Sequence, residues 1–305
     1  MPAFLTHYAL GVCAYRQMED GTLRKVLKEH PSVYAIGLAG PDLFFYSFYE
    51  LIGPGKRKRV MPGMPLGRMM HKYRTGLFLA NLFDAAMAEQ GEERDIALVY
   101  YTGFVGHYCL DSAAHPFIYR ATDRGSKKQS LGRHFRFEAA IDAYTCGKRL
   151  GRPIDKSKQM EMVRISKKER GVISRVLARA CIDTYGDIYG KVKPVRLNLL
   201  LREYRMITGL IIDPSGFREW ALVKAEKRIF GYPWASPLFI NGNYYGISEK
   251  SLKQFDIRFE RGLVRMNLLV PLIESAAEGG GKEREKLIRK IGNRSYHTGI
   301  QAENL

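Results

Sequence analysis

The chain has 305 residues, 46% of them hydrophobic and 26% charged, which excludes general disorder and leaves room for one large core or two modest ones. Its 49 Lys+Arg against 31 Asp+Glu give a formal charge of +18, a statement about anionic partners (phospholipid headgroups, nucleic acid, phosphorylated metabolites) and not about fold. Cys13, Cys109, Cys146 and Cys181 are scattered and form no CxxC pair, which excludes a disulfide scaffold, and no apolar run reaches the ~18 residues of a membrane span.

The N-terminal sequence has no charged region ahead of an apolar run, so no secretory signal is read and a soluble cytoplasmic protein is expected, with peripheral membrane contact as a variant. The pattern is helical nearly throughout. Residues 3–19 read as an amphipathic helix. Residues 69–90 read as a second helix stopping at Gly91, and 93–115 as a third that starts with acids and ends at Pro116. A fourth covers 132–149. Beyond it, 168–190, 195–209, 215–229, 249–270 and 282–291 carry helical periodicity. The best strand candidate, Pro237–Tyr245, is short and broken by Asn-Gly. Gly53–Gly67 and Arg120–Gly132 are basic, turn-rich segments. Three glycines at 279–281 set off a basic tail. The expected fold is all-α, with a metal-binding domain over 1–150, a helical extension of unassigned role over 151–278 and a C-terminal helix or tail over 279–305.

Six of the seven histidines fall in the first 134 residues, and two groups of them have ligand spacing. His107, Asp111 and His115 lie four apart, so they climb one helix face within about 80°. His134, Glu138 and Asp142 repeat the device on the next helix. Imidazole and carboxylate suit zinc, and Asp111 is placed to bridge two ions. One such motif is often only an intrahelical hydrogen bond, but buried charges are rare unless paired or metal-bound. Asp142 reads either as an acceptor orienting a histidine ligand or as a solvated side chain. His30, before Pro31 at a helix end, reads as structural, and Cys109 as packing.

The string from Gly103 to Asp111, followed by His115-Pro116 and then His134 and Glu138, resembles the zinc-dependent phospholipase C family. Gly40-Pro41-Asp42-Leu43-Phe44-Phe45-Tyr46, His71 with Gly76 and Phe78, and His7 fit the same pattern. The resemblance covers about residues 3–145. It implies the helical fold shared with single-strand-specific zinc nucleases. It also implies that Asp42, His71, His107 and Asp111 hold one zinc, and His115, His134 and Glu138 a second. His7 and Asp111 would contribute to a third. Secreted relatives complete that third site with an N-terminal tryptophan, whereas the two tryptophans here are Trp220 and Trp234, so the third ion stays open.

The implied reaction is phosphodiester hydrolysis by a metal-bound hydroxide, with Asp42 orienting or deprotonating the attacking water. Phe44, Phe45, Tyr46, Phe48 and Tyr49 either pack in the core or line a substrate cleft. Lys56, Arg57, Lys58 and Arg59, between two expected ligands, either steer an anionic substrate or form a solvated loop. Three functions remain open on sequence: a phospholipase C-like phosphodiesterase on phospholipid, a nuclease or nucleotidase on the same scaffold, and a non-catalytic zinc-stabilised module that binds membranes or partners.

Overall fold

The computed structural model describes residues 4–46, 63–154, 158–211, 213, 215–230 and 247–302. The basic run Lys56, Arg57, Lys58 and Arg59, the aromatics Phe48 and Tyr49, and the strand candidate 237–245 lie outside these residues. The described chain is all helical: α1 (Phe4–Gln17), α2 (Thr22–Glu29), α3 (Pro31–Ala39), a 3-10 turn (Gly40–Tyr46), α4 (Gly63–Lys72), α5 (Thr75–Met87), α6 (Gly91–Thr122) and α7 (Lys127–Thr145). After a π turn at Cys146–Leu150 come α8 (Gln159–Met162), α9 (Lys167–Tyr189), α10 (Pro194–Ile211), α11 (Phe217–Phe230), α12 (Glu249–Glu278) and α13 (Gly281–Ile291). Among the described residues the sole β pairing is one isolated bridge, Arg294 to Gln301. None of the helices is long and apolar enough to cross a membrane, and all four cysteines are free.

α6 is the axis of the molecule. Every residue from Ile96 to Ser112 is buried, so this helix is enclosed on all sides, apolar except for the face that carries His107 and Asp111 and for Thr102 and Ser112. It packs most extensively on α3 and α12. The α3 crossing is backbone on backbone. A Cβ on Gly37 would lie 2.3 Å from the Tyr100 carbonyl oxygen, and one on Gly103 2.5 Å from that of Tyr34. Only glycine at both positions lets the two helices approach so closely.

Three boundaries differ from the sequence reading. The helix expected over 69–90 is two helices, because Arg74 adopts a left-handed conformation (φ 51). Its guanidinium donates to Asp187 and to the Thr184 carbonyl of α9, so tertiary bonds hold a turn that local propensity would not choose. The helix expected to end at Pro116 runs on to Thr122 with the proline inside it. Pro116 has no N–H for the Ser112 carbonyl, and Gly299 of the C-terminal segment packs against that oxygen, where its own Cβ would come within 2.6 Å. The helix expected over 249–270 likewise continues through Pro271 to Glu278. α3 was not anticipated, since residues 33–39 are uniformly apolar and carry no helical stripe, whereas α2 ends where His30 before Pro31 marked a helix end.

α7 and α9 each begin with a capping box, Ser126 with Gln129 and Ser166 with Glu169. Glu169 also faces His30 Nδ1 at 2.9 Å, so His30 ties the α2–α3 corner to α9. Its structural reading agrees with this contact.

Candidate metal centre

Five elements deliver eight polar side chains to one buried cluster. α6 presents His107, Asp111 and His115 on one face: His107 Nε2 and His115 Nδ1 each lie 3.0 Å from Asp111 Oδ2. α1 brings His7, with Nε2 3.1 Å from Asp111 Oδ1. The 3-10 turn brings Asp42 and α4 brings His71, whose Nε2 is 3.1 Å from Asp42 Oδ1 and 3.8 Å from Asp111 Oδ2. α7 brings His134 and Glu138; Glu138 Oε1 lies 3.1 Å from Nε2 of both His134 and His115. Ligand atoms within 4.8 Å of one another form three groups: His71, His107 and Asp111; His7, Asp42 and His107; and His115, His134 and Glu138. All eight residues expected as ligands are therefore brought together. Asp111 touches the imidazoles of both main groups, and His115 spans them, one ring nitrogen toward each.

The first group is oriented by backbone. His107 Nδ1 meets the Leu38 carbonyl at 3.0 Å and His71 Nδ1 meets that of Gly67 at 2.6 Å. Each bond fixes the tautomer and turns Nε2 inward. Gly40 makes the first possible: it sits at φ +54, and a Cβ there would lie 2.4 Å from the His107 ring. Asp142, read from sequence as a histidine-orienting acceptor or a solvated residue, is neither. It is buried and accepts from Thr6 N at 2.9 Å, Thr6 Oγ1 at 2.5 Å and Leu5 N at 3.3 Å. It caps the free amides of the first turn of α1 and so positions His7 through the backbone.

The donor set fits a cation. His7 Nδ1, His107 Nε2, Asp111 Oδ2, His115 Nδ1, both His134 nitrogens and Glu138 Oε2 are buried with no hydrogen-bond partner among the described residues. Native interiors leave few such atoms, yet here they converge. Several face each other at 3.0–3.1 Å without hydrogen-bond geometry. Ligand atoms about a tetrahedral zinc at 2.0–2.1 Å lie roughly 3.3–3.4 Å apart.

The electrostatics agree. Burial alone would raise the Asp111 carboxyl, but His115, His107 and His7 outweigh it and hold the group well below the usual carboxylate range. Glu138 is likewise depressed, against its burial, by His134 and His115. Asp42 is depressed by His71 and His107, again against burial. His107 and His115 would be lowered by burial, and Asp111 reverses this and raises both. His7 goes the other way, lowered by burial and by His107. Cys109 is pushed up to about 12 by burial, as befits a packing thiol.

Of the aromatics after Asp42, Phe44 is fully buried in the core and Tyr46 stacks edge-on against Tyr204 at 5.1 Å. Phe45 borders the cluster, its ring 5.5 Å from His71. Sequence reasoning missed Tyr296 and His297. The Tyr296 ring is buried 5.3 Å from His71 and 5.8 Å from His107. His297 stacks on Tyr119 at 3.8 Å, and Tyr119 on His134 at 4.8 Å. No periodicity links residue 296 to residue 71; the signal lies only in the tertiary fold.

Among known protein families, zinc dependent phospholipase C matches residues 6–193, past the segment on which the resemblance rests and through the end of α9. No curated protein and no solved structure matches the chain significantly. Family and cluster together support a zinc phosphoesterase in general terms. With more than half of its length matched and all eight expected ligand positions converging, the chain belongs to the zinc-dependent phospholipase C family.

Proposed function

We propose that the protein is a phospholipase C-like hydrolase that cleaves the phosphodiester of a phospholipid-type substrate. The observation that carries this reading is the convergence of buried, unpartnered imidazole and carboxylate atoms around Asp111 in a chain of this family. Asp42, His71, His107 and Asp111 are the ligands of one zinc, and His115, His134 and Glu138 those of a second. His7, with Asp111 and Asp42 beside it, would contribute with Asp111 to a third, which stays open. Zinc bound there supplies Lewis acidity toward phosphoryl oxygens and acidifies water.

The protein's own residues do the rest. Leu38 and Gly67 lend their carbonyls to aim His107 and His71. Asp42 Oδ1 faces His71, so Oδ2 is the acceptor for the proton of the attacking water. Against burial, His71 and His107 hold Asp42 below the usual carboxylate range, so it stays ionised and orients that water by accepting its hydrogen bond. Phe45 supplies an apolar wall beside His71. The buried shell of α1, α3, α6 and α7 excludes bulk water, which strengthens each charge interaction inside.

The test is a metal analysis of the purified protein, followed by assays on phosphatidylcholine, a phosphatidylinositol lipid, single-stranded DNA and a chromogenic phosphodiester. Bound zinc with release of diacylglycerol is the expected result. Metal-free protein sinks the site assignment. Faster cleavage of DNA than of lipid replaces the phospholipid reading with a nuclease. Zinc without turnover on any substrate leaves a non-catalytic zinc-stabilised module.

A further inference from the structure

Residues 292–302 lie outside the family match, yet they fold back onto the cluster. After α13 the chain forms a short strap closed on itself by Ser295 N to the Ile300 carbonyl at 2.9 Å and Ala302 N to that of Asn293 at 2.7 Å. It is fastened at three places. Thr75 Oγ1 and Gly76 N both donate to Asn293 Oδ1. Tyr108, the residue after His107, donates its hydroxyl to the Ile291 carbonyl and accepts from Arg294 N. Arg265 of α12 donates to Ser112 Oγ, to the Tyr108 hydroxyl and to the Ile291 carbonyl.

The third fastening is on a ligand. Tyr296 N and Ser295 Oγ both donate to the His71 carbonyl, at 2.8 and 3.2 Å. The Tyr296 ring then fills the space between His71, His107 and Tyr108. His71 therefore has its Nδ1 held by α4, its backbone held by the strap and its ring backed by Tyr296. Next to Tyr296, His297 is half-buried over the second group. Its ring nitrogens have no hydrogen-bond partner among the described residues, and burial together with Lys72 and His115 lowers its pKa to about 4. A neutral imidazole with a free donor thus stands, across the Tyr119 ring, beside a group of three protein ligands. Three-ligand zinc sites keep a position open for substrate.

We propose that the strap is a working part of the metal centre: Tyr296 is a positioning residue for His71 and His107, and His297 contacts the substrate phosphoryl group beside His134. The proposal rests on the zinc-centre reading above and extends it to residues beyond the family match.

The full chain is tested as Tyr296→Ala, Tyr296→Phe, His297→Ala and His297→Gln. Zinc content, zinc affinity by stepwise chelator competition, inorganic phosphate binding to the zinc-loaded protein, and kcat and KM on a chromogenic phosphodiester are measured for each. Tyr296→Ala is expected to weaken the zinc held by His71 and His107 ~10–100-fold, the range for residues that orient ligands, while Tyr296→Phe stays within about twofold of native because the ring does the positioning. His297→Ala is expected to keep native zinc content and affinity, bind phosphate ~10-fold more weakly, and raise KM more than it lowers kcat; about 1.4 kcal/mol corresponds to that factor. His297→Gln, which keeps a donor, recovers part of the loss. Folded, zinc-loaded variants with native zinc and phosphate affinities overturn the strap proposal and leave the metal centre intact. A native chain that takes up no zinc overturns both. Should Tyr296→Ala unfold, His297→Ala decides alone, since unchanged phosphate binding there removes the substrate contact.

Discussion

The two main ligand groups differ in how they are held. His71 and His107 each have one ring nitrogen bonded to a backbone carbonyl, and both back onto Tyr296. His134 has neither nitrogen bonded, and His115 divides its two nitrogens between Asp111 and Glu138. The first group draws on the 3-10 turn, α4 and α6, whereas the second draws only on α6 and α7. Ligands fixed before metal arrives lose less freedom on binding it. On the proposed ligand assignment the first group is thus expected to retain an ion, and the second to exchange one or to yield a position to substrate.

The largest effect falls on Asp111, whose carboxylate meets the imidazoles of His7, His71, His107 and His115. Asp111→Asn is expected to remove zinc from both groups and lower kcat/KM on the order of 10³-fold or more, because outer partners alone are worth 10–100-fold. Metal analysis and kinetics on one preparation check it; loss of a single ion would show that Asp111 serves one group only.

Next come the groups taken separately. His134→Ala is expected to lose the more weakly held zinc and retain the other, whereas His71→Ala loses the tighter one. Stepwise chelator titration of both proteins measures the order, and equal loss in each would erase the distinction drawn between the groups.

A smaller effect comes with pH. In metal-free protein the raised pKa values of His107 and His115 give stability that is fully present below the unfolded value of 6.5 and is lost as pH rises through the folded values. His7, lowered, destabilises only below that value. Zinc changes this dependence, since it binds neutral imidazole. Above pH 6.5 the melting temperature should therefore fall with pH after chelation and stay level with zinc bound, whereas with zinc it rises with pH up to about 6.5, where the unfolded imidazoles still hold protons. Parallel slopes would mean that the imidazoles do not titrate with metal.

The smallest concerns Asp142. Asparagine there keeps one acceptor oxygen but puts an amide group where the second carboxyl oxygen caps the first turn of α1, for about 1–2 kcal/mol, the range of a lost cap. Thermal denaturation should register this with zinc content unchanged, and loss of zinc would make Asp142 part of the centre itself.

The two i, i+4, i+8 runs were legible because helical geometry alone sets their face, and α6 and α7 display them as read. The all-helical fold was legible for the same reason. What stayed hidden depends on partners distant in sequence. Arg74 is left-handed because α9 holds its guanidinium, and Pro116 stays within α6 in a helix packed on all sides. Asp142 looked like a ligand neighbour because its spacing continues that of His134 and Glu138, yet its partners are amides more than 130 positions away. Tyr296 and His297 stand in a stretch whose composition says only tail.

The strap also has a consequence in time. Its bonds to the His71 carbonyl span 224 positions, and contacts that distant close late. During synthesis at roughly 5–20 residues per second, every proposed ligand through Glu138 has been made for about 8–30 s before Tyr296 follows. For that interval the nascent centre is open on its Tyr296 side. An ion that enters then meets an uncovered His71, and residues 292–302 close over it afterwards.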